Sequence, residues 1–151
     1  NSLSDCLDVD FSNLFINELI TKNCGNDGID FSFSTIEGNV FTSQNVGDKA
    51  LSVGENTILK LMQLNAAIGT IGVAIKDGST LEIANANLDG LDYGFVLYNK
   101  KIGFSASELF VTSYTSSRIK NQDFSKIGDA KIHIDNIQLY DIPIFPKQLI
   151  D

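Results

Sequence analysis

Apolar and polar residues alternate in short stretches that recur along this chain at intervals of about 22 residues, as expected of one structural unit stacked on itself. One column of apolar positions holds Leu7, Ile29, Leu51, Val73 and Phe95, and a second holds Val9, Phe31, Val53, Ile75 and Leu97. A period of two is typical of β-strands with one buried face. Just before these strands lies a column of small residues, Gly28, Ala50, Gly72 and Gly94. The spacing holds over four steps without insertion or deletion.

Helical repeats of this size would show apolar residues at a 3.6-residue period, which the chain lacks. Gly, Asn and Asp bound each strand and favour turns. We therefore predict an all-β fold, a right-handed parallel β-helix (β-solenoid) of about five to six coils, in which equivalent residues stack roughly 4.8 Å apart. Two further inward columns are expected, Leu14, Ile36, Ile58 and Ile102 in one and Cys24, Val46 and Ile68 in the other.

The repeat assigns residues 1–137 to the β-helix domain and residues 138–151 to a C-terminal tail or cap. The segments Thr112–Ser117 and Asn121–Ser125 are predicted to form a loop excursion, and Ala130–Ile137 a last strand. Proline cannot donate a hydrogen bond to a β-ladder, so the proline-containing tail is expected to leave the solenoid. Its apolar residues would then cover the last coil: Leu139, Ile142, Ile144 and Phe145.

The chain has 151 residues and a net charge of −8, and no apolar run approaches the ~20 residues that span a membrane. We expect no membrane insertion. Residues 1–56 carry nine acidic and two basic side chains, a charge of −7. Nucleic acid is therefore not an expected partner, because its binding needs basic patches.

The sequence shows no signal peptide and no initial Met, so we interpret it as a mature product or a piece of a larger extracellular or cell-surface protein. A solenoid of this length would need its ends covered by flanking domains or by self-association.

Cys6 and Cys24 are the only cysteines. The repeat places Cys24 in an inward column, and Cys6 four positions along in the preceding coil. Four extended residues span roughly 13 Å, which exceeds the reach of a disulfide. We therefore expect two small buried thiols.

Acidic residues recur on the outward side of the Leu7 strand and in the turn before it. Asp8 and Asp30 would stack about 4.8 Å apart, close to the carboxyl separation of retaining glycosidases, and Asp10 and Asp30 roughly 8 Å apart, within the range of inverting enzymes. Stacked carboxylates repel, which raises one pKa and creates an acid. Alternatively, Asp8, Asp10 and Asp30 could bind Ca²⁺, which accepts six to eight oxygen ligands.

Other side chains on this face extend the candidate site. Tyr93 and Tyr98 are expected to be exposed, where they could stack on sugar rings. If the protein is an enzyme, the catalytic candidates are Asp8, Asp10, Asp27, Asp30 and Asp48. The candidate ligand-binding residues are Asp8, Asp10, Asp27, Asp30, Asp48, Lys49, Lys76 and Tyr98.

The chain resembles the pectin-lyase-like right-handed β-helix superfamily over residues 1–111. Asn26-Asp27-Gly28-Ile29-Asp30 is similar to the Asn-Thr-Asp motif of its polygalacturonases, which would place Asp27 in a catalytic position. One coil later, Lys49 stands where the second residue of an Asp-Asp pair is expected, and Ile71 stands in place of the His. Arg118-Ile119-Lys120 matches a later Arg-Ile-Lys motif. The resemblance implies the fold, and its pectate lyases imply a Ca²⁺ site on this face.

The function we expect is non-catalytic recognition of a polysaccharide or cell-surface glycan, or display on a surface, through the acidic face. The first alternative is a glycan-cleaving hydrolase or lyase that uses a pair of those aspartates. The second alternative is a structural spacer whose acidic face binds nothing.

Overall fold

A computed structural model describes residues 2–150, and these form a parallel β-solenoid of about six turns with a spacing of about 22 residues. The predicted all-β solenoid is confirmed. The elements are β1 (Leu7–Asp10), β2 (Asn13–Cys24), β3 (Ile29–Ser32), β4 (Thr35–Val46), β5 (Lys49–Gly54), β6 (Ile58–Lys76), β7 (Thr80–Tyr98), β8 (Glu108–Ser117), β9 (Gln122–Lys126), β10 (Lys131–Ile134), β11 (Ile137–Leu139) and a 3₁₀ helix (Lys147–Leu149).

Each coil presents three faces. Face A stacks β1, β3, β5, the last residues of β6 and β7, and β9. Face B stacks the first residues of β2, β4, β6, β7 and β8 with β10. Face C stacks the residues that follow in each of these five strands, before β6 and β7 continue onto face A. In β6, the buried positions change from Leu59 and Leu61 to Leu64 and Ala66. This change of phase marks the bend from face B to face C.

The other two corners of each coil use the left-handed backbone region, which residues other than glycine rarely adopt. Phe11, Phe33, Glu55 and Asp77 occupy it between faces A and B, with φ near 50°. Asn23, Asn45, Ile68 and Gly90 occupy it between faces C and A. Because these corners fall at equivalent places, the coils stay in register.

The two apolar columns predicted for face A form the centre of the core. Their middle members have no exposed area: Ile29, Leu51, Val73, Phe95, Phe31, Val53, Ile75 and Leu97. The column of small residues has a steric cause. A Cβ on Gly72 would lie 2.9 Å from the carbonyl oxygen of Gly94, and a Cβ on Gly94 would lie 2.4 Å from that of Asp123.

The predicted constant spacing is wrong on faces B and C of one coil. Ile36 pairs with Leu59, one position beyond the regular step, because both Glu55 and Asn56 occupy the left-handed region at that corner. Leu59 is therefore buried where Ile58 was expected, and Ile58 is 45% exposed. The regular step returns on face A, and Ile68, also predicted to be in the core, is 46% exposed.

The predicted loop excursion is also wrong. Thr112–Ser117 belongs to β8 on face C, and most of Asn121–Ser125 belongs to β9 on face A. The insertion lies earlier, between β7 and β8, where Thr80 pairs with Glu108 and the step between coils is lengthened. Ile102 lies in this insertion and is fully exposed rather than in the core.

The C-terminal residues close one end of the solenoid. The predicted last strand ends earlier than expected, because the chain reverses at Asp135 and Asn136 and β11 runs antiparallel to β10. Pro143 accepts a hydrogen bond from the Lys126 backbone N–H, and the Phe145 N–H donates to the Lys126 carbonyl. The apolar side chains of the tail are divided: Leu139 and Ile142 pack against the main core, Phe145 is buried on the outer side of face A, and Ile144 is exposed.

The expectation of two free thiols is wrong, because Cys6 and Cys24 form a disulfide with their Cα atoms 5.4 Å apart. The longer separation expected from the sequence treated residues 24–28 as straight strand. The chain instead turns there, after Asn23 adopts the left-handed conformation. Cys24 thereby comes beside the preceding coil, and the bond fastens β1 to the end of β2.

Replacing both cysteines by serine is expected to lower the free energy of unfolding by about 3 kcal/mol, because the bond closes a loop with a sequence separation of 18 residues. Denaturant unfolding of the variant and of the parent chain measures the difference. Intact mass before and after reduction reports the bond itself. Equal stability, or alkylation of both thiols in the native unreduced protein, would contradict the assignment.

Candidate functional site

The acidic residues predicted on face A do lie together at its N-terminal edge. Asp8 of β1 pairs with Asp30 of β3, and Asp10 pairs with Ser32, each one coil apart. Asp8 and Asp10 are exposed and Asp30 is partly buried. Partial desolvation, and then the negative charges of Asp10 and Asp30, raise the pKa of Asp8. We call Asp8, Asp10 and Asp30 the acidic strip.

Two polar atoms in and beside the acidic strip lack hydrogen-bond partners among residues 2–150. Asp30 Oδ1 is buried and unpaired, and so is the Oγ of Ser52, the residue that pairs with Asp30 on the next coil. Ser52 has no exposed area. Buried polar groups are normally hydrogen-bonded, so this point is the least satisfied part of the face.

Asp27 and Asp48 flank the acidic strip but serve a local structural role. Asp27 is only 3% exposed, and its Oδ1 accepts a hydrogen bond of 3.1 Å from the Lys49 backbone N–H. The Lys49 ammonium lies 3.5 Å from Asp27 Oδ1 and contacts Asp48. One coil earlier, Asp5 accepts a hydrogen bond of 2.9 Å from the Asp27 backbone N–H. The carboxylates of Asp5 and Asp27 therefore connect successive turns, and Asp48 holds the Lys49 side chain in place.

Burial raises the pKa of Asp27 to about 6, although the neighbouring Lys49 opposes the shift. Burial alone would lower the pKa of Lys49, but its hydrogen bond to Asp48 and the charges of both carboxylates raise it. The group is thus a partly buried ion pair with one carboxyl that is protonated in mild acid.

Basic residues neutralise the rest of this face. Lys101 contacts Glu55, and the Ser32 hydroxyl donates to the same carboxylate. Burial alone would raise the pKa of Glu55, but hydrogen bonds from Lys101 and Ser32 lower it. The Lys76 side chain passes over Gly54, since a Cβ there would lie 3.2 Å from Lys76 Cε.

The expectation that Tyr93 and Tyr98 are exposed is wrong. Tyr98 is 1% exposed and Tyr93 is 8% exposed, because Phe145 of the tail packs on both rings, with centroid distances of 6.0 Å and 4.9 Å. Burial, and then the charges of Asp48 and Asp27, raise the pKa of the Tyr98 hydroxyl. Neither ring is available to a sugar in this conformation.

Within residues 2–150, no group of three or more His, Cys, Asp or Glu side chains is arranged to hold a metal ion. Ca²⁺ binding by Asp8, Asp10 and Asp30 therefore stays a prediction from the sequence. The structure places the carboxylates of the acidic strip in one row, close enough for their charges to interact. The row is exposed to solvent at Asp8 and Asp10.

A concave surface lies elsewhere, across the outer side of face B, and the sequence patterns did not reveal it. It is a groove of about 590 Å³ that crosses five coils. Its floor contains one outward column whose members pair in succession: Phe15, Glu37, Lys60, Glu82 and Phe110. Four steps of about 4.8 Å make this column about 19 Å long.

Aromatic side chains lie at the two ends of this groove, and charged side chains lie between them. Phe15 at one end is 66% exposed, and Phe110 at the other end stacks on His133 with ring centroids 4.5 Å apart. Lys60 and Glu82 form an ion pair at 3.5 Å between them. Met62 and Asn39 form part of the wall, and Asn39 donates a hydrogen bond to Asn17.

The sequence does not show this column, because its members are not separated by a constant number of residues. A constant step from Glu37 and from Glu82 leads to Leu59 and Phe104, whereas the structure places Lys60 and Phe110 there. The one-residue shift at Asn56 and the insertion before β8 therefore separated its members. A search for outward columns that allowed such shifts would have aligned the two phenylalanines.

The buried Asp27 should make stability depend on pH. Its folded pKa of about 6 exceeds the unfolded value of 3.8, so the folded state binds more protons and stability falls as pH rises from about 4 to about 6. The difference between the folded and unfolded pKa values corresponds to a change of about 3 kcal/mol in the free energy of unfolding. In Asp27→Asn this part of the dependence should disappear, as measured by denaturant unfolding at several pH values. An unchanged pH profile in that variant would contradict the assignment.

No protein-family model, curated protein or solved structure matches this chain. Within residues 2–150, no helix combines the length and the apolar character needed to cross a membrane.

Proposed function

We propose that this β-solenoid is a non-catalytic carbohydrate-binding domain that holds an extended polysaccharide along the groove of face B. The observation that carries the proposal is the column with a phenylalanine at each end and polar side chains between them. A sugar ring presents C–H groups on its faces and hydroxyls around its rim. The faces suit Phe15 and Phe110 through apolar contact, and the hydroxyls suit Glu37 and Asn39 through hydrogen bonds.

The length and charge of the groove favour a linear, uncharged polymer. The column runs along the solenoid axis for about 19 Å, so a chain of several sugars would fit better than a compact ligand. Glu82 is already paired with Lys60, which leaves little net charge to attract an ionic ligand. The lining combines apolar surface with a few placed polar groups, as ligand sites usually do.

The disulfide supports the extracellular or cell-surface location that we propose. Disulfides form and persist mainly in oxidising compartments. Membership of the pectin-lyase-like superfamily is part of the same proposal, supported by the parallel coils and their spacing. The Lys49 and Ile71 substitutions in the motifs of its polygalacturonases favour binding over that activity.

Replacing Phe110 by alanine should weaken polysaccharide binding about tenfold or more, which corresponds to about 1.4 kcal/mol. The measurement is affinity electrophoresis or calorimetry against a panel of neutral and acidic polysaccharides. Tyr140→Ala is a matched control, since Tyr140 is an exposed aromatic residue outside the groove. Equal loss in both variants, or no retention by the parent chain, would contradict the proposal.

A glycan-cleaving enzyme is the second candidate, and the raised pKa of Asp8 beside Asp30 favours it. Residues that pair on adjacent strands are about 4.8 Å apart, close to the carboxyl separation of retaining glycosidases. Two carboxyls at this separation are the acid and the nucleophile of a retaining mechanism.

The enzyme candidate predicts new oligosaccharides when the same panel is incubated with the parent chain, with Ca²⁺ and without it, and analysed by mass spectrometry. Asp30→Asn should abolish turnover while circular dichroism stays unchanged, because it removes one carboxylate of the pair. Glu18→Gln is the control, since Glu18 is exposed on face C. Retention without products would exclude cleavage of the tested glycans and leave binding as the function.

A further inference from the structure

The groove of face B runs along the solenoid axis without a sideways shift. Its floor residues pair one after another across parallel ladders: Phe15, Glu37, Lys60, Glu82 and Phe110. The added residue at Asn56 and the insertion before β8 both fall at corners, so the column stays in line through them. Because these strands hydrogen-bond to one another from coil to coil, the floor cannot bend to follow a curved ligand.

The two phenylalanines of this floor are separate apolar contact points. Phe15 is 66% exposed, and Phe110 is held against His133, which stacks on one face of its ring at 4.5 Å. Four steps of about 4.8 Å place the two residues about 19 Å apart. The floor residues between them are all charged. A ligand therefore gains both apolar contacts only if it reaches from one ring to the other.

The linkage between sugars decides which polymers can reach both rings. In a cellulose-type chain, equatorial bonds join each sugar ring to its neighbours, so the chain extends as a nearly straight ribbon. Its ring substituents are also equatorial, which leaves apolar C–H groups on both faces of every sugar. In an amylose-type chain, one of the two bonds is axial and the chain coils. Such a chain would leave a straight floor after a few sugars.

We propose that the groove selects a straight, cellulose-type polysaccharide, which it holds at two points, Phe15 and Phe110. The inference rests on the proposed carbohydrate-binding function and specifies the class of polymer. Sugars between the two rings would lie over Glu37 and over the ion pair of Lys60 and Glu82 at 3.5 Å, whose polar atoms can bond their hydroxyls. Joining two weak contacts in one ligand raises the affinity, because the second contact becomes intramolecular.

Titrations of the full chain with cello-oligosaccharides of increasing length, from the disaccharide to the hexasaccharide, test this inference. The affinity, measured by nuclear magnetic resonance or calorimetry, should rise at least about tenfold when the oligosaccharide becomes long enough to contact both rings. The malto-hexasaccharide has the same number of glucose units joined by axial bonds. It should bind no more tightly than the cello-disaccharide.

Two variants test the two contact points separately. Phe15→Ala and Phe110→Ala should each lower the affinity for the cello-hexasaccharide to about that of the disaccharide, because only one ring remains. The affinity for the disaccharide should change much less, since either ring can bind it alone. Tyr140→Ala is the control, an exposed aromatic residue outside the groove. Circular dichroism establishes that the variants fold.

The outcomes separate this inference from the function on which it rests. Equal affinity for the cello- and malto-hexasaccharides, or an affinity independent of length, would overturn the inference and leave carbohydrate binding in place. The same would follow if Phe110→Ala weakened the binding of the disaccharide and of the hexasaccharide equally. Failure of the parent chain to bind any oligosaccharide or polysaccharide would overturn the proposed function and this inference together.

Discussion

Hydrogen bonding between successive coils is the constraint on which the rest of this molecule depends. The parallel ladders join residues one repeat apart over most of the solenoid, so equivalent side chains stack about 4.8 Å from one another. For apolar residues this spacing is favourable, and it builds a continuous core from coils that could not bury one alone. For charged residues the same spacing is costly, because like charges fall directly above one another.

The repulsion between stacked like charges is offset in some coils and not in others. In the middle coils, acidic side chains have basic neighbours, as Asp27 has Lys49, Glu55 has Lys101 and Glu82 has Lys60. On β1 and β3, no cation contacts the acidic strip among the described residues. Partial desolvation, and then the charges of Asp10 and Asp30, raise the pKa of Asp8. The acidic strip therefore differs from the middle coils because its carboxylates lack basic partners, and not because it contains more acidic residues.

Residue patterns predicted the features that depend on one face and one period. The face A columns could be found because Leu51 and Val73 follow Ile29 at an unchanged step. The groove could not, because Asn56 adds one residue at a corner, and the left-handed backbone conformation that accommodates it leaves no mark on hydrophobic periodicity. Burial of Tyr98 was equally hidden, since it depends on where Phe145 of the distant C-terminal tail comes to rest. The disulfide was missed because a turn after Asn23 was treated as straight strand.

The acidic strip shows how much of this cost one ladder tolerates. Asp8 lies directly opposite Asp30 in the pairing of β1 with β3, an arrangement that like charges destabilise. Partial desolvation, and then the charges of Asp10 and Asp30, raise the pKa of Asp8. The inward residues of the same strands offset the repulsion, because Leu7 pairs with Ile29 and Val9 with Phe31 in the core. Backbone pairing and inward packing therefore hold the carboxylates together on the outer side, where Asp8 and Asp10 remain exposed.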